Sequence, residues 1–285
     1  MTTYAVTGAS GHLGRLIVES LLSRGAAPAD VIAIARTTAK VEDLAERGVT
    51  VRFGDYTDGA SLDAALAGVD RLALVSGSEV GQRVAQHRAV IDAAERAGVS
   101  RLVYTSILGA DTTSNPLAAE HLATEEALAA SSIPATVLRN GWYLENYTGQ
   151  LATYAETGTV LGATGGATIA AASRADYAEA AAVALLQDTE GEVYELGGTR
   201  FTLADLAAEA ATATGAQIAH SDVSVERLAT TFEEVGMDPG AARFWAAIDA
   251  SIAKGELDTT STALADLIGR PTTPLADAVA AAARG

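Results

Sequence analysis

Thr7-Gly8-Ala9-Ser10-Gly11-His12-Leu13-Gly14 is the stretch that decides how this chain is read. It follows a short apolar run, Tyr4–Thr7, and opens an amphipathic pattern over His12–Arg24. Together these spell a strand, a tight glycine loop and a helix start. Gly8 permits the turn, Gly11 lets the backbone approach a ligand, and Gly14 allows the helix to pack closely on the strand. The unpaired N–H groups and positive dipole end of such a helix suit a pyrophosphate. Ser10, His12 and Leu13 share the loop and join the three glycines as candidate cofactor-binding residues.

The rhythm continues outward. Apolar runs at Val31–Ala35, Val49–Phe53, Arg71–Val75, Arg101–Thr105 and Thr136–Arg139 alternate with helical patterns at Lys40–Arg47, Ser61–Leu66, Gln82–Ala97 and Leu117–Ala130. This is the signature of βαβ units, and right-handed crossovers then give an α/β fold of Rossmann type, a doubly wound parallel sheet. Residues 1–140 are expected to form the NADP(H)-binding Rossmann domain. Residues 141–285 are expected to form a smaller, mostly helical substrate lobe with segments returning to the sheet. In that half Gly158–Gly166 reads as a loop or short hairpin and Glu192–Leu196 as a strand. Helices are expected at Arg174–Gln187, Leu203–Thr214, Val225–Val235, Pro239–Gly255 and Leu275–Ala283.

Composition sets the outer limits. The 285 residues are 49% hydrophobic and 19% charged, enough for a full core. The formal net charge of -17 argues against nucleic acid or an anionic membrane as the main partner. With no cysteine and no metal-ligand spacing among His12, His87, His121 and His220, no metal site is expected. No apolar run approaches a membrane span, and a cytoplasmic location is the expectation. An isologous homodimer is the expectation from base rates for soluble enzymes.

The second strand ends Ile34-Ala35-Arg36, with Lys40 one helical turn on. An acid there would hold the ribose 2′-OH of NAD, whereas a guanidinium suits the 2′-phosphate of NADP. NADPH/NADP is therefore the expected cofactor. Asp55-Tyr56 follows the third strand, where an acid either reaches the adenine amino group or forms an N-cap or Asx turn for the next helix. Ser76-Gly77-Ser78 follows the fourth, and its small residues would let a cofactor lie close. Thr105 and Ser106 end the fifth strand, near the expected nicotinamide. Asn140 ends the sixth, placed to bond the nicotinamide amide or a substrate oxygen. Trp142 and Tyr143 are expected to wall a flat acceptor ring, with Asn146 and Gln86 as further substrate-side candidates. Tyr104 and His121 join Asn140 as candidate catalytic residues, His121 as the titrating group nearest the ring.

The stretches T-G-A-S-G-H-L-G, A-I-A-R-T-T-A-K, S-E-V-G-Q-R-V-A-Q-H, Y-T-S-I-L-G-A-D, L-R-N-G-W-Y-L-E-N-Y and S-R-A-D-Y-A resemble the NmrA-like branch of the atypical short-chain dehydrogenases/reductases. Within that branch the segment Ser78–His87 is more similar to the NAD(P)H:quinone oxidoreductase group than to its sister group, the triphenylmethane dye reductases. The resemblance runs nearly end to end and implies that Arg174 reaches the cofactor side of the cleft.

One departure matters. Where ordinary short-chain dehydrogenases carry a Y-x-x-x-K acid/base pair, this chain has His121 and Glu125. An alkoxide, with a pKa near that of water at roughly 15–16, needs a proton donor during hydride transfer. A phenolate-type product, with a pKa near tyrosine's at roughly 10, is about 7 kcal/mol easier to leave unprotonated. The sequence thus points to NADPH-dependent reduction of a small planar acceptor, a quinone first and a cationic dye second. The same features fit a non-catalytic NADP(H) sensor.

Overall fold

The computed structural model describes residues 2–187 and 191–284. The short apolar runs become strands of one seven-stranded parallel sheet. These are β1 (Tyr4–Val6), β2 (Val31–Ala35), β3 (Thr50–Phe53), β4 (Arg71–Leu74), β5 (Arg101–Ile107), β6 (Ala135–Asn140) and, from the second half, β10 (Val193–Leu196). Their order is β3-β2-β1-β4-β5-β6-β10, so the chain reverses direction across the sheet between β1 and β4. This is the Rossmann-type doubly wound arrangement, in which ligands bind beyond the carboxyl ends of the strands at the reversal.

The crossover helices are α1 (His12–Ser23), α2 (Glu42–Glu46), α3 (Gly59–Leu66), α4 (Arg83–Ala97) and α5 (Ala118–Ala130). β1, β2, β4 and β5 are buried on both faces and so read as continuous apolar runs. One face packs Leu62 and Leu66 of α3, Val90 and Ile91 of α4 and Leu128 of α5. The other packs Ile17, Val18 and Leu21 of α1 against α8 (Arg174–Leu186). The α8 contribution is almost entirely alanine, with Ala178, Ala180, Ala181, Ala182 and Ala184 fully buried. Small side chains let these two helices lie close, which is what the alanine-rich composition does here.

The second half also contains β7 (Trp142–Tyr143), α6 (Glu145–Thr148), α7 (Leu151–Thr157), β8 (Thr159–Gly162), β9 (Ile169–Ala172), β11 (Thr199–Phe201), α9 (Leu203–Thr214) and β12 (Ala219–Asp222). It ends with α10 (Val225–Glu234), α11 (Pro239–Ala253), α12 (Ala263–Ile268) and α13 (Leu275–Ala283). A core separate from the two sheet faces joins Leu144, Val160, Phe201, Leu206, Ile248 and Ile252. The stretch Gly158–Gly166 is not a hairpin: β8 pairs in parallel with β12, some sixty residues away. β7, β9 and β11 form a second small sheet. Sequence periodicity is blind to such short strands, because each is recognised only by its partner.

Candidate active site along the carboxyl edge of the sheet

The glycine loop has the geometry its spacing demands. Gly8 has φ +60°, a conformation L side chains rarely adopt. A Cβ on Gly14 would sit 2.3 Å from the Gly8 carbonyl oxygen, so only glycine lets α1 start this close to β1. Ala9 N–H donates to the Ile34 carbonyl (3.0 Å), pinning the loop against β2. The first turn of α1 carries no acidic residue and Gly11 offers no side-chain cap, so its N–H groups stay available to a ligand anion. Ser10 is half-buried in the loop, and His12, the first residue of the helix, is exposed. Leu13 faces inward and joins the core beneath, so any contact it makes with a ligand is through its backbone.

Arg36 lies just beyond β2 with an exposed side chain, and its guanidinium meets Glu79 at 3.0 Å. Glu79 and, more weakly, Asp55 hold it above its usual pKa. Lys40, in a short 3-10 turn over Thr38–Val41, is exposed. Asp55 accepts the Thr57 N–H (2.9 Å) and hydroxyl (2.8 Å), an Asx turn that holds its carboxyl below the usual range. It does not cap the next helix; Asp58 does, accepting from the Ala60 and Ser61 N–H groups. The Tyr56 hydroxyl is turned inward, donating to Thr7 Oγ1 (2.6 Å) and lying 2.9 Å from the Val75 carbonyl. Its hydroxyl thus braces the end of β1 against the end of β4, so any contact Tyr56 makes with a cofactor is through its half-buried ring or its backbone.

The loop after β4 is held from beneath. Ser76 N–H donates to Thr105 Oγ1 (3.0 Å), tying the ends of β4 and β5. Gly77 N–H donates to His87 Nε2 (3.0 Å), so the ring proton is on Nδ1, which donates to Thr124 Oγ1 (3.0 Å). Arg83, almost fully buried, donates through Nε to the Gly77 carbonyl (2.8 Å) and pairs with Glu120 (3.1 Å). Glu120 also accepts the Gly81 N–H (2.9 Å). Ser78 is exposed at the crest. Gln86 is buried and donates to Glu79 (2.9 Å). It is a holder of this loop, not the substrate-side residue expected.

Two candidate catalytic residues are also placed differently from expectation. Tyr104 is fully enclosed and its hydroxyl is bonded to His121 Nδ1 (2.8 Å). Burial pushes the tyrosine well above its usual pKa and pushes the histidine down to about 3. His121 is therefore neutral and buried, not a titrating group at the ring. Ser106 shares the strand face of Tyr104 and donates to Glu125 (2.5 Å). Glu125 is in turn clamped by Arg139 (2.7 Å), which also meets Asp111 and Glu195 (both 2.8 Å). The positions of the usual Tyr and Lys thus belong to packing and to an ion network. The hydroxyl of Ser106 is committed there, leaving Thr105 as the residue of this pair on the Ser76 side.

Asn140 is the exception to this saturation. It is 3% exposed, at the carboxyl end of β6, and neither its Oδ1 nor its Nδ2 makes a hydrogen bond of good geometry, although the amide lies close enough to the Tyr143 hydroxyl to hold its pKa down. A buried amide left so is costly, by about 1–3 kcal/mol, and is a group that a polar atom of a ligand would satisfy. Beside it, Tyr143 is capped by the Arg174 guanidinium at 4.9 Å and packs edge-on to Tyr177. Burial raises the Tyr143 pKa, while Arg174 and Asn140 lower it. Arg174 also donates to Asn146 Oδ1 (3.1 Å), and its N–H to Glu145 (2.9 Å). Asp176 forms a capping box with Ser173 at the start of α8. Trp142 and Tyr143 do not form one wall: as neighbours on a strand they face opposite ways. Trp142 packs on the lobe core and Tyr143 on the sheet-side core.

Sequence reasoning missed Glu79, Arg83 and Glu120. Their only signal was three charged residues around a loop that had been read for its small ones. Among the described residues no group of three or more His, Asp or Glu is placed to hold a metal, and no helix is long and apolar enough to cross a membrane.

A family model described as NAD(P)H-binding matches residues 8–189. The chain is 47% identical to quinone oxidoreductase 2 of Escherichia coli strain K12 over 96% of both chains. It superposes with a TM-score of 0.94 on the crystal structure of the E. coli NADPH-dependent quinone oxidoreductase complexed with NADPH, at 46% identity, covering 98% of this chain and 99% of that one. Triphenylmethane reductase of Citrobacter sp., complexed with NADP(H), follows at 36% identity and a TM-score of 0.92, covering 98% of this chain and all of that one.

Proposed function

We propose that this chain, which belongs to the NAD(P)H-binding family, is an NADPH-dependent reductase that passes hydride to a planar quinone-type acceptor. The observation that carries this reading is Asn140, a buried amide without a hydrogen bond of good geometry at the carboxyl edge of the sheet. The likeness to the quinone oxidoreductase supports it.

The residues fit the cofactor. The Gly8–Gly14 cradle, which a Cβ would fill, and the open N-terminus of α1 suit the pyrophosphate. Arg36 and Lys40 would hold the 2′-phosphate, Asp55 and Ser76–Ser78 would flank the adenosine and ribose, and Thr105 and Asn140 would meet the nicotinamide end. Bound there, NADPH supplies the hydride. The protein would bind and orient the two rings; Asn140 would donate to the amide or acceptor oxygen, Arg174 would reach the cofactor side, and Tyr143 and Asn146 would flank the acceptor.

No side chain need supply a proton. Tyr104 is enclosed and His121 is held neutral, so neither is a donor at neutral pH. A quinone reduced by hydride leaves as a phenolate with a pKa of about 10, which water can protonate. The test is loss of NADPH absorbance with a simple benzoquinone, with Asn140→Ala as the control variant. Quinone-dependent loss that the substitution cuts at least tenfold supports the reading. NADPH binding without turnover would move the chain to a sensing role, and preferential decolourisation of a triphenylmethane dye would make that class the acceptor.

A further inference from the structure

The guanidinium expected to greet the 2′-phosphate already has a carboxylate against it. Arg36 Nη1 donates to Glu79 Oε1 at 3.0 Å, while the other Glu79 oxygen accepts from Gln86 Nε2 at 2.9 Å. Gln86 is buried on α4, and Arg83 anchors the preceding loop through the Gly77 carbonyl. Glu79 therefore reaches over the end of β1 from a braced position, and it is not a wandering surface side chain. Asp55 adds a second negative charge that acts on both Arg36 and Glu79.

We propose that Glu79 is a specificity-determining residue, an internal counter-ion for Arg36 that narrows the advantage of a 2′-phosphorylated cofactor over its unphosphorylated counterpart. This rests on the reading of Arg36 as the 2′-phosphate cation. A carboxylate at this end of β2 is the group that holds a ribose 2′-OH in NAD-type sites. Here it arrives from the loop after β4 instead of from β2 itself. With an unphosphorylated ribose the Arg36–Glu79 pair persists and Glu79 offers an acceptor to the 2′-OH. A 2′-phosphate must share Arg36 with Glu79, and the two anions repel. Both partners are about half-exposed, at 63% and 47%, so the pair is weak enough to exchange and the site discriminates without barring either cofactor.

Calorimetric binding of 2′,5′-ADP and 5′-AMP, which differ only in the 2′-phosphate, reads this directly on wild type, Glu79→Gln, Arg36→Ala and the double variant. Glutamine keeps the side-chain length and removes the charge. Glu79→Gln is expected to raise the preference for 2′,5′-ADP over 5′-AMP about three- to tenfold. The gain should vanish in the Arg36→Ala background and shrink at high salt. If wild type prefers 2′,5′-ADP and Glu79→Gln leaves the ratio unchanged, the proposal is overturned and the NADP reading stands. If neither protein prefers 2′,5′-ADP, the reading beneath it fails.

Discussion

Asn140 sets binding against stability at a single residue, whereas Gly14 serves both. The Asn140 amide is buried without a hydrogen bond of good geometry, so the folded protein gains little from it. Asn140→Leu is expected to leave the melting temperature unchanged or raise it, while kcat/KM for quinone reduction falls at least tenfold. Gly14→Ala should lower both. Its Cβ would collide with backbone at 2.3 Å, so a loss of about 2–3 kcal/mol on thermal unfolding is expected, together with weakened NADPH binding. The buried histidines give a pH signature. His87 and His121 are held near 3 by burial, well below the ordinary value, so the unfolded chain binds more protons between that point and about 6.5. Their contribution is present above about pH 6.5 and is lost as pH falls toward 3. Melting temperature should therefore drop between pH 7 and pH 4, and His121→Gln, which keeps a partner for Tyr104, should blunt the drop.

At the scale of elements, the loop between β4 and α4 depends on one buried arginine. Arg83→Ala would release the Gly77 carbonyl and leave Glu120 half of a desolvated pair. A destabilisation of about 3 kcal/mol is expected in chemical denaturation, with a raised KM for NADPH because the loop is freed. Much of the element order was legible in the chain. The strand β2 and the helices α9 and α13 begin and end at the residues their patterns gave: α9 between its Thr202–Asp205 capping box and Gly215, α13 just after Pro274, and β2 as a continuous apolar run. The site was less legible. Glycine spacing signals backbone geometry and could be read locally. Whether Tyr56, Tyr104, Gln86 and Ser106 face the cleft or the core depends on partners 7 to 49 residues away, Thr7, Glu79, His121 and Glu125. The lobe strands were hidden for the same reason: β8 means nothing until β12 pairs with it.

Across the whole molecule, the closing segment is tied to α1 and α8. Arg270 pairs with the buried Asp176 (2.8 Å) and also with Glu179, and Arg24 of α1 pairs with Glu179 (2.6 Å) and donates to the Ile268 carbonyl (2.9 Å). This network joins α1, α8 and the segment after α12, and Arg270→Ala is expected to cost about 1–2 kcal/mol by thermal unfolding, since the arginine is itself partly exposed. The same architecture explains how a reductase manages without a tyrosine–lysine pair. The sheet edge supplies a glycine cradle, a cation and a lone amide, and the candidate acid/base groups Tyr104, His121 and Glu125 are committed to packing and ion pairing. The most direct test is the rate of NADPH oxidation by a benzoquinone from pH 6 to pH 8, on wild type and His121→Gln. Rapid quinone-dependent oxidation, flat across that range and little changed by the substitution, is predicted. A rate that falls through a single ionisation and collapses in His121→Gln would contradict it, as would tight NADPH binding with no oxidation at all.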